Sequence, residues 1–173
     1  DRNRRCQIIN CQNQVSVTVE GIKTLDAGIG GVAGRTKYAE LLNCANTGSV
    51  SILSEEKGGI TYYAGGVAGS VRTYTRMQNC YNSGAVWSSH TAGGLAGEVA
   101  EGGSEIYSCY NTGEITGERY AGGLVGALFS TESSIDWCYT SGPVNLNQSG
   151  LGLGALFGIL SQGSEGVLYA LKR

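Results

Sequence analysis

The 173-residue sequence predicts an all-β fold, a parallel β-solenoid of about five to six coils with roughly 29–35 residues in each. Three observations carry that expectation. First, two short motifs alternate strictly along the chain. A glycine cassette appears as GGVAG at 30–34 and 65–69, GGLAG at 93–97 and GGLVG at 122–126, with a worn copy, GALFG, at 154–158. Between the cassettes stands a cysteine motif: NCANTGSV from Asn43, NCYNSGAV from Asn79, SCYNTGEI from Ser108, WCYTSGPV from Trp137, and a degenerate NCQNQV from Asn10. Second, no long window spaces its apolar residues by three and four, and glycine inside a helix costs about 1 kcal/mol each. Third, the 29 glycines fall at fixed offsets within the repeat instead of forming a low-complexity tract, and there is a single proline, Pro143.

Taken in order, the chain begins with a basic cluster, Arg2, Arg4 and Arg5, which reads as a solvated edge. The alternating run VSVTV at 15–19 reads as a strand, and 20–26 as a connecting loop. After the first cassette, 35–37 reads as a polar turn. The charged stretch SEEKGGIT at 54–61 is an insertion that lengthens one step, and it belongs on the surface. Residues 63–144 hold three well-matched units, each with three short apolar runs such as 94–99, 106–110 and 114–116. Beyond Pro143 the register loosens, and the chain ends on an apolar segment with no polar cap. The whole of 1–173 therefore reads as one repeat domain, best defined over 30–144, with 1–29 and 145–173 as degenerate flanking coils. A start at Asp1 and a lone methionine, Met77, fit a piece of something longer.

No such unit buries its apolar face alone, so stacking in register must supply the core. Parity then assigns the interior. Val32, Val67, Leu95 and Leu124 of the cassettes point inward, as do Val50, Val86, Ile115 and Val144 of the cysteine motifs. The cysteines Cys11, Cys44, Cys80, Cys109 and Cys138 occupy one position of successive units, with steps of 33, 36, 29 and 29. Equivalent residues in stacked coils lie about 4.8 Å apart with parallel side-chain vectors, which suits a column of buried thiols better than disulfides. Cys6 stands outside that register. Asn13, Asn46, Asn82 and Asn111 form a second expected column, an amide ladder that Thr140 interrupts. A right-handed crossover is the expected hand.

Cassette and cysteine motif together resemble the GLUG repeat, whose Gly-Leu-x-Gly signature this chain carries as GLAG at 94–97, GLVG at 123–126, and GVAG at 31–34 and 66–69. The resemblance covers about residues 30–144. It implies a β-helical, secreted or wall-displayed segment of a bacterial surface protein, as in adhesin-like proteins and the non-catalytic region of immunoglobulin A1-specific metalloproteases. It brings no catalytic residues with it.

The residues offer little chemistry. No HExxH helix exists for a zinc protease, and the one histidine, His90, reads as a solvated loop residue. Glu98, Glu101 and Glu105 lie close together in sequence and are the basis for a polysaccharide-cleaving reading, against which stands a plain charged loop. GIGGVA from Gly28 and GLGLGA from Gly150 mimic a phosphate loop, but that pattern needs a following helix, and these glycines belong to a cassette repeated elsewhere without it. The sequon Asn147-Gln148-Ser149 is uninformative without a host. Neither a cofactor nor a metal is expected. At 15% charged residues and net charge -2 there is no footprint for nucleic acid, and no run approaches the roughly 18 apolar residues of a membrane span. Tyr81, Tyr110 and Tyr139 follow the cysteine in three successive units and point outward, with Trp87, Tyr107, Tyr120 and Trp137 nearby. They read either as a self-supporting stack or as a platform for host glycans or extracellular proteins. The leading expectation is a non-enzymatic extracellular spacer or adhesin stalk of the bacterial cell surface, with open strand edges that invite self-association.

Overall fold

The computed structural model describes residues 5–21, 26–54, 61–130, 132–147 and 150–160. Among them every strand belongs to one of five parallel sheets, each five strands deep, and there is no helix. The chain visits the sheets in one order on every coil. Sheet A holds Cys6–Ile9, Ala39–Leu42, Arg76–Gln78, Glu105–Tyr107 and Ser134–Asp136. Sheet B holds Gln12–Asn13, Ala45–Asn46, Tyr81–Asn82, Tyr110–Asn111 and Tyr139–Thr140. Sheet C holds Val17–Glu20, Val50–Leu53, Val86–Ser88, Ile115–Gly117 and Val144–Leu146. Sheet D holds Ala27–Gly30, Tyr62–Gly65, Thr91–Gly93, Tyr120–Gly122 and Gly152–Gly154, and sheet E holds Ala33–Lys37, Ala68–Arg72, Ala96–Ala100, Val125–Leu128 and Phe157–Leu160. This is a β-solenoid. Its five rungs make four steps, so at about 4.8 Å per step the described stack rises about 19 Å.

The coil has five strands where the apolar runs suggested three. Glycine-rich stretches pass for turns in sequence, but here the rungs above and below satisfy their backbone groups. Residues 35–37, expected as a turn, are the end of a sheet E strand, and the bend falls instead at Tyr38, in the left-handed region at φ 51°. The weak final repeat stays in register, with Val144 beside Ile115, Leu153 beside Ala121 and Phe157 beside Val125. Arg2 and Arg4, most of the 54–61 insertion, Gln148 and Ser149 of the sequon, and the 161–173 ending lie outside the described residues.

Two apolar cores run along the stack. One joins Leu41, Met77 and Ile106 of sheet A to Val67, Leu95 and Leu124 of the cassettes and to Cys44, Cys80, Cys109 and Cys138. The other joins Val50, Val86 and Ile115 of sheet C to Tyr62, Ala64 and Ala92 of sheet D. Each cassette glycine meets a different obstacle. A methyl group on Gly93 would lie 2.5 Å from the Gly126 nitrogen of the next coil; on Gly94, 2.5 Å from Cγ of Asn111; on Gly97, 2.7 Å from the Tyr63 carbonyl carbon in sheet D. Sheets D and E thus pack backbone against backbone, a separation only glycine permits.

Candidate functional site

The most regular surface feature is the tyrosine column on sheet B. Tyr81, Tyr110 and Tyr139 are paired in register, and their rings stack at 5.1 Å with interplanar angles of 4° and 6°. Such stacking covers the ring faces. Tyr110 is sandwiched, the far side of Tyr81 meets the rung of Ala45, and only Tyr139, 48% exposed, stands at the end of the column. What the column turns outward is a row of ring edges and hydroxyls. Trp137, on the same final rung, is 65% exposed and sits in the left-handed region at φ 54°.

Directly inside lies the asparagine column. Asn46, Asn82 and Asn111 are fully buried, and each Nδ2 donates twice: to the carbonyl two residues on, and to the next rung. Asn13 donates to Asn46 Oδ1 at 2.7 Å, Asn46 to Asn82 at 2.7 Å, and Asn82 to Asn111 at 2.8 Å. The step from Asn111 to Thr140 Oγ1 stretches to 3.3 Å. The cysteines form a parallel column of free thiols, in which the backbone N–H of Cys44 donates to Cys80 Sγ at 3.4 Å and that of Cys80 to Cys109 Sγ at 3.3 Å. Burial pushes the Cys44 thiol up from its ordinary range. Cys11, assigned to the buried column, is exposed, because among the described residues no rung stacks on the outer side of the first coil. Cys6 is also an exposed free thiol.

Sequence reading missed a second amide ladder. The residue before each of the five column cysteines is left-handed, with φ between 52° and 56° at Asn10, Asn43, Asn79, Ser108 and Trp137. Asn43 donates to Asn10 at 3.1 Å and Asn79 to Asn43 at 3.2 Å along this exposed corner. The signal was the Asn-Cys pair written three times.

The acidic residues part company with the loop expected of them. Glu98 is a sheet E strand residue, 2% exposed, whose Oε1 accepts from Ser70 Oγ at 2.7 Å and Arg72 Nη2 at 2.8 Å. Arg72 also holds Asp26 at 2.7 Å, and Asp26 takes Arg35 at 3.1 Å. Burial, reinforced by the charge of Glu98, raises the Tyr63 hydroxyl well above the ordinary phenol range. Glu101 sits at a corner against Lys37 and Thr73, and Glu105 pairs with Arg76 at 2.9 Å in a sheet A column. Glu98 and Glu101 thus meet at one guanidinium, Arg72, at 2.8 and 3.6 Å, while Glu105 turns away to Arg76. His90 is likewise no solvated loop residue: it is 4% exposed, packed edge-on against Tyr120, with Nδ1 2.7 Å from Thr91 Oγ1. Arg119 lies 3.2 Å from Nε2, and since guanidinium only donates, Nε2 accepts and Nδ1 carries the proton. Nearby Ser89 Oγ is buried without a partner among the described residues.

No group of three potential metal ligands exists among the described residues, and no helix there is long and apolar enough to cross a membrane. The phosphate-loop lookalikes lie in sheet D and E strands and their connecting turns. Fold and surface define a parallel β-solenoid whose side-chain columns bind rung to rung. The chain matches no protein-family model, no curated protein and no solved structure.

Proposed function

We propose that this chain is a non-enzymatic, stiff repeat segment of a secreted or surface-displayed bacterial protein, acting as part of a stalk. One observation carries the reading: the column of Asn13 and the buried Asn46, Asn82 and Asn111, with its two donated bonds per amide, ties each rung to the next, the last step ending on Thr140. The stacked tyrosines and the Glu40, Arg76 and Glu105 ion pairs repeat that economy outside. Polar side chains are committed to neighbouring rungs, which supports a structural role. Bacterial surface display rests on the GLUG resemblance. The test places the chain between a surface anchor and a reporter domain, beside a flexible Gly/Ser linker of equal residue number. Reporter orientation held by the solenoid and lost with the linker is the stalk outcome; equal behaviour sinks it.

The second reading is a glycan- or protein-binding face, favoured by the exposure of Tyr139 and Trp137. Because aromatic recognition of sugars uses ring faces, it concentrates on this last rung instead of the whole column. On an array of host and plant glycans and matrix proteins, Tyr139→Ala should abolish capture while Tyr81→Ala should leave it. Capture that survives Tyr139→Ala ends this reading.

A further inference from the structure

The tyrosine column of sheet B is placed for a covalent reaction as well as for packing. Tyr81, Tyr110 and Tyr139 hold one position of three successive rungs, each 29 residues from the next, and they are paired directly in register. Their ring centroids lie 5.1 Å apart and the planes within 6° of parallel, so the carbons flanking each hydroxyl face their counterparts on the next ring. Tyr38 and Tyr74 also stack, but at 5.9 Å and 29°. The column's phenol edges meet solvent, whereas the Cys44, Cys80 and Cys109 thiols and the Met77 thioether behind them are covered. Susceptibility to oxidation follows that exposure.

A phenol that gives up one electron and one proton becomes a phenoxyl radical, with spin on the ring carbons beside the oxygen. Two such radicals join through those carbons. In sum, two phenols and one hydrogen peroxide give one biaryl and two waters: a C–C bond forms, each ring loses one C–H hydrogen, both hydroxyls remain, and the peroxide O–O bond is cleaved by the two electrons. Between free tyrosines this coupling waits on the encounter of two radicals, but here the sheet already holds the partners together. A disulfide has no such opening along the stack, because Cβ atoms about 4.8 Å apart with parallel vectors miss the required separation of about 3.8 Å. Tyrosine carries its reactive carbon far out on a ring with two rotatable bonds, so opposite turns of two rings join them without moving the backbone. Tyr81 has the room to turn, since its other neighbour in the column is the small Ala45.

We infer that the sheet B column is an oxidative cross-linking site, where Tyr110 couples to Tyr81 or Tyr139 as dityrosine and staples one rung to the next, the oxidant being hydrogen peroxide used by a haem peroxidase. The link closes a loop within one chain and narrows its unfolded ensemble, as a disulfide does. It rests on ring geometry and register, and it stands or falls apart from the stalk and glycan readings.

The test treats the whole chain, its exposed Cys6 and Cys11 thiols alkylated beforehand, with a haem peroxidase and hydrogen peroxide at low protein concentration. Dityrosine fluorescence should appear in the monomer fraction, with a mass lower by two hydrogen atoms than the untreated chain. Cleavage after glutamate and arginine parts the three tyrosines, and the linked peptides should join Tyr110 to Tyr81 or Tyr139. Tyr110→Phe keeps a ring in the stack and removes the phenol common to both pairs. Its monomer dityrosine should fall at least tenfold, with unchanged circular dichroism. The urea midpoint should rise on treatment of the unaltered chain and stay fixed for Tyr110→Phe. The inference is overturned by no dityrosine, by dityrosine confined to dimers and larger species, by an undiminished yield in Tyr110→Phe, or by a dominant link between Tyr38 and Tyr74. A linked chain whose midpoint does not move overturns the staple as well.

Discussion

Gly94 lies so close to Asn111 that a methyl group on its Cα would come within 2.5 Å of the asparagine Cγ, and within contact of the Gly123 carbonyl as well. The relationship recurs between Gly31 and Asn46, Gly66 and Asn82, and Gly123 and Thr140. It explains why cassette and cysteine motif never lose phase: the second cassette glycine is the floor on which the buried amide rests. Gly94→Ala should cost about 3 kcal/mol, the upper range for overpacking, because backbone and a doubly bonded amide both resist moving. Gly102→Ala, where the new methyl meets only the flexible Glu132 side chain, should stay within about 0.5 kcal/mol. Urea denaturation of the two variants decides this, and equal costs would remove the packing argument.

The amide column predicts opposite signs at its middle and its end. Asn82→Ala strips the partner from the Asn46 amide and the donor from Asn111 Oδ1, both fully buried, so a loss of about 2–4 kcal/mol is expected. Thr140→Asn restores the missing carboxamide where the 3.3 Å step now ends and should add about 1 kcal/mol. A destabilised Thr140→Asn chain would mean that the last rung cannot hold the ladder geometry.

Much of this was legible in the sequence, and the boundary has a physical cause. The Val50, Val86 and Ile115 interior and the Asn46, Asn82 and Asn111 ladder were readable because one residue type repeats at one offset, so parity alone fixes its side. Column positions filled by different residues leave no such trace. Arg35, Ser70 and Glu98 share one sheet E column, and Arg72 reaches Glu98 across 26 residues and Asp26 across 46. That ion cluster, built around the buried Glu98, exists only once the coil is wound. His90 was misjudged similarly, since its loop-like WSSHTAGG setting becomes the junction of sheets C and D, closed over by Tyr120.

The left-handed corner supplies the third prediction. Asparagine tolerates φ near 54°, but at Trp137 the same backbone carries an indole that is 65% exposed. An aromatic residue there costs about 1–2 kcal/mol of strain. Trp137→Asn should therefore stabilise the chain by about 1 kcal/mol. Ser108→Asn should gain a smaller amount by extending the Asn10, Asn43 and Asn79 ladder one rung further. Thermal melts of both, alone and combined, test whether the strain and the ladder are separate. A destabilised Trp137→Asn chain would mean that the indole is held by packing.

Alkaline pH should weaken the fold. The Tyr63 hydroxyl is held protonated by burial and by the charge of Glu98, and the Cys44 thiol by burial. Both have folded values above their unfolded ones, about 10 for tyrosine and about 8.5 for cysteine. Below those unfolded values each group is protonated in both states, and its contribution is fully present. As pH rises past them the unfolded chain releases protons that the folded chain retains, so stability must fall with pH. The loss should begin near pH 8.5 with the thiol and steepen above about pH 10 with Tyr63. Tyr63→Phe should flatten the upper part of the curve and leave the lower part unchanged. Urea midpoints at half-unit steps from pH 7 to pH 11 measure this, and an undiminished slope in Tyr63→Phe would assign the alkaline loss to another group.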